Sequence, residues 1–437
     1  MTSPTHACTG QSTASVLAIG FGSATAMWTA GYLTHMPALP APIGVTFALL
    51  VLALVAGGWL LARFADSRWS HAALAALLTA TINLLVLGSL LRDDDAAMPA
   101  PWIWLPGFFA ASVALVLIGW SLGRRPSNRS DRHVNWSFVF ALVTVAATGL
   151  LVIAGGLVTG YDAGLAVPDW PDSFHANMFL YPLSRMTGGI YYEHTHRLLG
   201  SLVGLTTIVL TIHLWRTDRR RSLRLLLLVA VAAVILQGFM GGHRVTMAAV
   251  PAGGVDVSTP EHETTASIAL RLAHGAFGQI FLALVVAAAA MTSTTWRQAS
   301  PAAPPRKLRT DQTLGLLLLA AILTQLVLGA ALRQLQVLLL WHIALATVVT
   351  LLAMIAGLRA WGLYPDSPVL PRLGLWLIFA TLAQLALGTV ALLARKYQGN
   401  LLPVNALITT THQAVGALLL ALAVTQTLWS GRLARPQ

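Results

Sequence analysis

Twelve apolar runs of about twenty residues constrain this chain more than any other feature, because a helix of that length crosses roughly 30 Å of hydrocarbon. They fall at about 14–34, 42–62, 73–91, 102–122, 136–158, 193–215, 223–241, 268–291, 312–332, 338–358, 373–394 and 405–428. A lipid-facing backbone has to satisfy its own hydrogen bonds, and these runs lack the alternation of barrel strands, so each is expected to be a helix. Composition agrees: 56% of the 437 residues are hydrophobic and 10% are charged, where a soluble domain carries about 25% charged residues. The expected fold class is an all-α polytopic membrane protein with about 12 transmembrane helices.

Charge sets the expected orientation. With the N-terminus inside, most of the 27 Lys and Arg residues fall on inner loops and the C-terminal tail, the bias of a cytoplasmic face. Both termini are therefore expected in the cytoplasm and the chain in the cell membrane. The net charge of +12 is accounted for this way and implies no nucleic acid. Asp93-Asp94-Asp95, Asp162, Asp169, Asp172, Glu261 and Glu263 then face outward. The lone Cys8 excludes an intrachain disulfide and a cysteine metal site. The first ten residues hold no Lys or Arg, so a cleaved secretory signal is not expected and the first span is retained.

Polar stretches at 124–135 and 296–311, the second with Pro301, Pro304 and Pro305, read as cytoplasmic linkers. They predict an N-terminal four-span module over 1–123, a four-helix bundle over 136–295 and a second over 312–437. Gln-x-x-x-Gly occurs at Gln237 to Gly241, Gln325 to Gly329 and Gln384 to Gly388, each followed by a span with one histidine. A degenerate copy has Gly155-Gly156 and leads into His196. Each half has an even number of spans, so the bundles are expected to be parallel repeats. The motif itself reads as polar glue and close helix packing.

The histidines are His196, His274, His342 and His412, each near the start of a span running outside to inside. They are expected at similar depth, toward the outer leaflet. Ionisable residues are expensive in a bilayer and mark functional sites. One such histidine would read as a polar residue bonded across helices; four in register point to two pairs of axial ligands, which haem iron uses most readily. A neutral imidazole gives one nitrogen to iron and one N–H to a supporting acceptor. Glu193 precedes His196 by three residues and shares its helix face, where it can orient the imidazole or take a proton. His194 faces elsewhere. Arg197 and Arg271 lie outward, against the positive-inside trend. Their forks suit haem propionates, with snorkelling as the plain alternative. The outer loop from Thr159 to Tyr192 is long and turn-rich, as lids and docking sites are. Glu261-His262-Glu263 reads as a solvated polar loop.

Glu193-x-x-His196-Arg197, preceded by Gly155-Gly156 and by Gly164-Leu165-x-x-Pro168-Asp169-Trp170-Pro171, resembles the haem A synthase family over about residues 136–430. The resemblance implies two four-helix bundles and conversion of haem O to haem A for cytochrome oxidase by oxidation of a ring methyl to a formyl group. It implies His196 and His274 as ligands of the substrate haem, His342 and His412 as ligands of a resident haem b, and Glu193 as the functional glutamate. It further implies haem O synthase and cytochrome oxidase assembly as partners, and an electron donor it does not identify. Many bacterial members carry a cysteine pair flanking this loop; here Val167 and the Asp172-Ser173 region stand there. Residues 1–123 carry nothing of the resemblance. The competing readings are a bis-histidine di-haem electron-transfer cytochrome and a twelve-span transporter.

Overall fold

The computed structural model describes residues 4–38, 40–65, 67–91, 100–124, 134–248, 263–299, 305–394 and 402–434, apart from the side chains of 4–11, 90, 91, 305, 306 and 402. Asp93 to Asp95, Glu261, His262 and the central parts of both linkers lie outside these residues.

The helices are α1 (Pro4–Thr34), α2 (Ile43–Phe64), α3 (Trp69–Leu87), α4 (Pro101–Gly123), α5 (Trp136–Gly160), α6 (Gly188–Thr217), α7 (Arg221–Thr246), α8 (Thr265–Thr292), α9 (Thr294–Gln298), α10 (Pro305–Leu335), α11 (Leu339–Leu363), α12 (Leu370–Ala394) and α13 (Leu402–Leu433). All but the five-residue α9 are long and apolar enough to span a membrane, giving the twelve expected spans. The protein is an all-α, multi-pass membrane protein, with no strand among the described residues. Local chemistry starts several helices. Pro101 opens α4, where a missing N–H costs nothing. Thr264 and Ser293 accept from Ser267 and Trp296 main-chain N–H groups at the starts of α8 and α9. Large apolar side chains such as Phe47, Trp102, Leu340 and Trp341 are exposed, as lipid-facing residues should be.

The chain packs into two compact units. The first comprises Met1–Leu151 and Ala166–Val231. Here α2 lies closely on α4, and α1 and α3 pack beside them. Lipid offers no hydrophobic drive for helices to associate, so close packing through small residues has to hold them. A Cβ on Gly58 would lie 1.9 Å from the Val116 carbonyl oxygen, and one on Gly119 would lie 1.9 Å from that of Val55. Only glycine lets these two backbones meet. The same unit brings α1 and α3 against α6. The Tyr191 hydroxyl donates to the Tyr32 carbonyl at 2.5 Å, and the two rings stack at 5.7 Å.

The second unit comprises Val152–Leu165 and Ala232–Gln437. Helices α10, α11, α12 and α13 close on one another as a four-helix bundle, with α8 against α10 and α13. Leu318, Ile322, Val349, Ala353, Leu377, Leu419 and Leu420 fill its core. Gly357 and Gly374 bring α11 onto α12: a Cβ on Gly374 would lie 2.4 Å from the Gly357 carbonyl oxygen. At one end Asp311 receives the Arg359 Nε at 2.5 Å and the Tyr364 hydroxyl, beside a cluster of Trp296, Leu308, Leu370 and Trp429.

Candidate functional site

Glu193 does not open its helix, as the hydropathy suggests; α6 begins at Gly188. It is only 4% exposed, beneath the loop that precedes α6. Its Oε2 accepts the Val167 N–H at 2.8 Å, and its Oε1 accepts from Arg197 at 2.7 Å, one turn along the helix. Arg197 also donates to three loop carbonyls: Val167 at 2.9 Å, Asp169 at 2.7 Å and Asp172 at 3.1 Å. The guanidinium is thus committed to the loop and to Glu193. Two further contacts fix the loop. The Asp169 carboxylate accepts from the main-chain N–H groups of Phe174 at 2.8 Å and His175 at 2.6 Å. Both residues have positive φ, 52° and 61°, so the carboxylate supports a turn that costs energy in non-glycine residues. His194, 1% exposed, meets the Ser173 hydroxyl at 3.1 Å through Nδ1 and packs on the Tyr181 ring at 5.0 Å. Burial raises the pKa of the Tyr181 phenol, which keeps it neutral. Val167 and Ser173, where the resemblance places cysteines in many bacterial members, are both tied to α6 by hydrogen bonds.

In the second unit His274, His342 and His412 each lie against the glycine of a Gln-x-x-x-Gly motif. Gln237 on α7 donates to the His274 carbonyl on α8 at 2.7 Å, and His274 Nδ1 meets the Gln237 carbonyl at 3.1 Å. A carbonyl only accepts, so Nδ1 carries the proton and Nε2 keeps its lone pair. Gln325 on α10 donates to the His342 carbonyl at 2.9 Å, and its amide nitrogen lies 3.1 Å from His342 Nδ1 and 3.3 Å from its Nε2. Gln384 on α12 places its amide nitrogen 3.3 Å from His412 Nε2.

A family model described as cytochrome oxidase assembly protein matches residues 175–342, a span that holds Glu193, His196, His274 and His342. Over that stretch the chain is similar to the cytochrome oxidase assembly proteins. The Heme A synthase of Lysinibacillus sphaericus (strain C3-41) is 32% identical over 117 residues, which are 26% of this chain and 36% of that protein. The chain therefore matches little more than a third of that relative's length. The resemblance seen in the motifs holds, and the family segment lies inside the 136–430 over which they were read.

Residues 175–342 hold further charged contacts. Arg271 pairs with Glu263 at 2.9 Å, and Arg244 reaches the same carboxylate at 3.3 Å. Glu263 also accepts from the Ser267 hydroxyl at 2.6 Å, so it is saturated by donors. Among the described residues no cluster of three His, Cys, Asp or Glu side chains is placed to hold a metal ion. Arg333, near the end of α10, donates to Gln413 Oε1 at 2.5 Å and to the Gly156 carbonyl at 2.7 Å. It puts a half-buried cation one residue from His412. In the first unit His213 joins α6 to α5 through the Ser137 hydroxyl at 2.9 Å.

Proposed function

We propose that the chain is a haem A synthase, oxidising a ring methyl of haem O to the formyl group of haem A by two successive hydroxylations and loss of water, each hydroxylation using molecular oxygen as oxidant with two electrons and two protons from an external donor that take its second atom to water. The observation that carries this reading is the repeated glutamine and glycine around His274, His342 and His412, the first two of which lie in the stretch 175–342 matched by the cytochrome oxidase assembly model. The donor set fits haem iron. A buried imidazole whose Nδ1–H is bound to a main-chain carbonyl presents Nε2 as a neutral ligand, and His274 has that form.

In this reading His342 and His412 hold a resident haem b, and His196 and His274 ligate haem O. When bound, haem b supplies one-electron transfer. The protein supplies ligands, orientation and exclusion of water. Glu193 sits one helical turn from His196 and holds the loop through Val167. It is the carboxylate available to orient a ligand or hold a proton at Oε1 or Oε2. For Arg197 and Arg271 the contacts favour loop-holding and pairing with Glu263 over forks open to a propionate. Both termini in the cytoplasm, and haem sites toward the outer leaflet, complete the proposal.

A bis-histidine electron-transfer cytochrome would need the same histidine seats, but it has no use for a buried glutamate latched beneath a long loop. Expression in cells that make haem O and no haem A, followed by chromatography of the extracted haems, separates the two. Haem A should appear with the intact chain and disappear with Glu193→Ala. Haem b bound without any haem A would favour the electron carrier, and absence of all haem would revive a transporter.

A further inference from the structure

Between α7 and α8 the Gln-x-x-x-Gly motif makes a two-way contact. The Gln237 amide reaches across to the His274 carbonyl, and the His274 ring reaches back to the Gln237 carbonyl. Gly241, one turn beyond Gln237, makes room for the ring: a Cβ there would lie 2.9 Å from His274 Cε1. The partner helix answers in kind. Gly278, one turn beyond His274, makes room for the amide, with a Cβ there 3.0 Å from Gln237 Nε2.

The arrangement recurs. A Cβ on Gly329 would lie 3.0 Å from His342 Cε1, and one on Gly388 would lie 3.0 Å from His412 Cε1. On the α13 side a Cβ on Gly416 would lie 3.1 Å from Gln384 Nε2; in the remaining copy Ala346 stands one turn beyond His342. Helix glue alone explains an amide-to-carbonyl bond between spans. It does not explain why the same ring carbon meets a glycine in every copy, or why the amide lies at the ring in two of them. Those contacts fix the plane and rotation of an imidazole.

We propose that Gln237, Gln325 and Gln384, each with the glycine four residues on, are positioning residues for His274, His342 and His412. The glycine sets the ring plane, and the glutamine, through its amide or its main-chain carbonyl, holds the ring's rotation. The inference rests on the haem reading above. It also assigns a purpose to the repeat: one ligand-seating unit was copied with its helix pair, so the ligand came with its support. Supporting partners of metal-bound histidines commonly govern affinity by about 10- to 100-fold.

The test uses the full chain purified with its resident haem. Electron paramagnetic resonance reads the orientation of two imidazole planes on low-spin iron, and haem content after transfer to apomyoglobin reads retention. Gly388→Ala should keep low-spin haem but shift the largest g-value, because the methyl forces the His412 ring to turn. Gln384→Leu should retain haem about 10-fold less well. Gly329→Ala repeats the first test on the other ligand, should Gly388→Ala fail to fold. Variants with wild-type g-values and haem retention, changed only in Tm, would reduce the motif to helix glue and overturn the proposal. A wild-type chain without a low-spin bis-imidazole signal would instead overturn the haem reading beneath it.

Discussion

At the scale of single residues, Arg197 and Glu193 act as one latch. The guanidinium is 10% exposed and the carboxylate 6%, and between them they hold Val167, Asp169 and Asp172 onto α6. Glu193→Ala removes the acceptor of the Val167 N–H and one partner of Arg197, while three carbonyl acceptors remain. Hydrogen bonds to charged groups are worth about 1.5–3 kcal/mol each, so the loop should loosen without unfolding the protein. Amide exchange from Val167 to His175 should rise about tenfold or more; Glu193→Gln, which keeps an acceptor for Val167, should change it less. Unaltered exchange in Glu193→Ala would contradict the latch. The four-residue spacing of Glu193 and Arg197 is visible in the sequence. Their other partners are not, because main-chain groups of a loop 25 to 30 residues upstream carry no side-chain signature. His194 shows the same limit. Its helical phase sets it apart from Glu193 and His196, and only the folded loop reveals that it faces Ser173.

At the scale of elements, hydropathy finds each helix and misplaces some ends. Gly188-Gly189-Ile190-Tyr191-Tyr192 looks like loop because it is rich in glycine and tyrosine, yet it forms the first turn and more of α6. Tyr191 belongs to that turn because its hydroxyl and ring are satisfied by Tyr32, a partner 159 residues away. The Gln-x-x-x-Gly motifs were visible as repeats, but their roles depend on which span each faces. In the first unit, glycine spacing carries the packing of α2 on α4. Gly58→Val would drive a side chain into the Val116 carbonyl. Overpacking of this kind costs about 3 kcal/mol, and with backbone on both sides the contact has little room to relax. The prediction is a lower Tm with the α10–α13 bundle intact, read by thermal unfolding or limited proteolysis. An unchanged Tm would mean that α2 and α4 do not meet there.

At the scale of the whole molecule, twelve spans follow from length and hydropathy alone, since lipid permits little besides helices at that composition. The grouping of spans does not follow. The first four share a unit with α6 and the loop before it, through contacts such as Tyr32 with Tyr191 that no local pattern announces. The repeated histidines were legible because one residue type recurred in successive spans, and their chemistry because imidazole in a bilayer demands a reason. A single arginine near a span end, such as Arg333, looks like a snorkelling one, and its contacts with Gln413 and Gly156 are a property of the folded protein. The central claim is that the recurring imidazoles are ligands. It is tested most directly by counting haem per chain, with its optical spectrum, in purified protein carrying His342→Ala or His412→Ala. The account predicts that each substitution removes the resident low-spin haem b that the unaltered chain retains. Wild-type haem content and spectrum in both variants would contradict it.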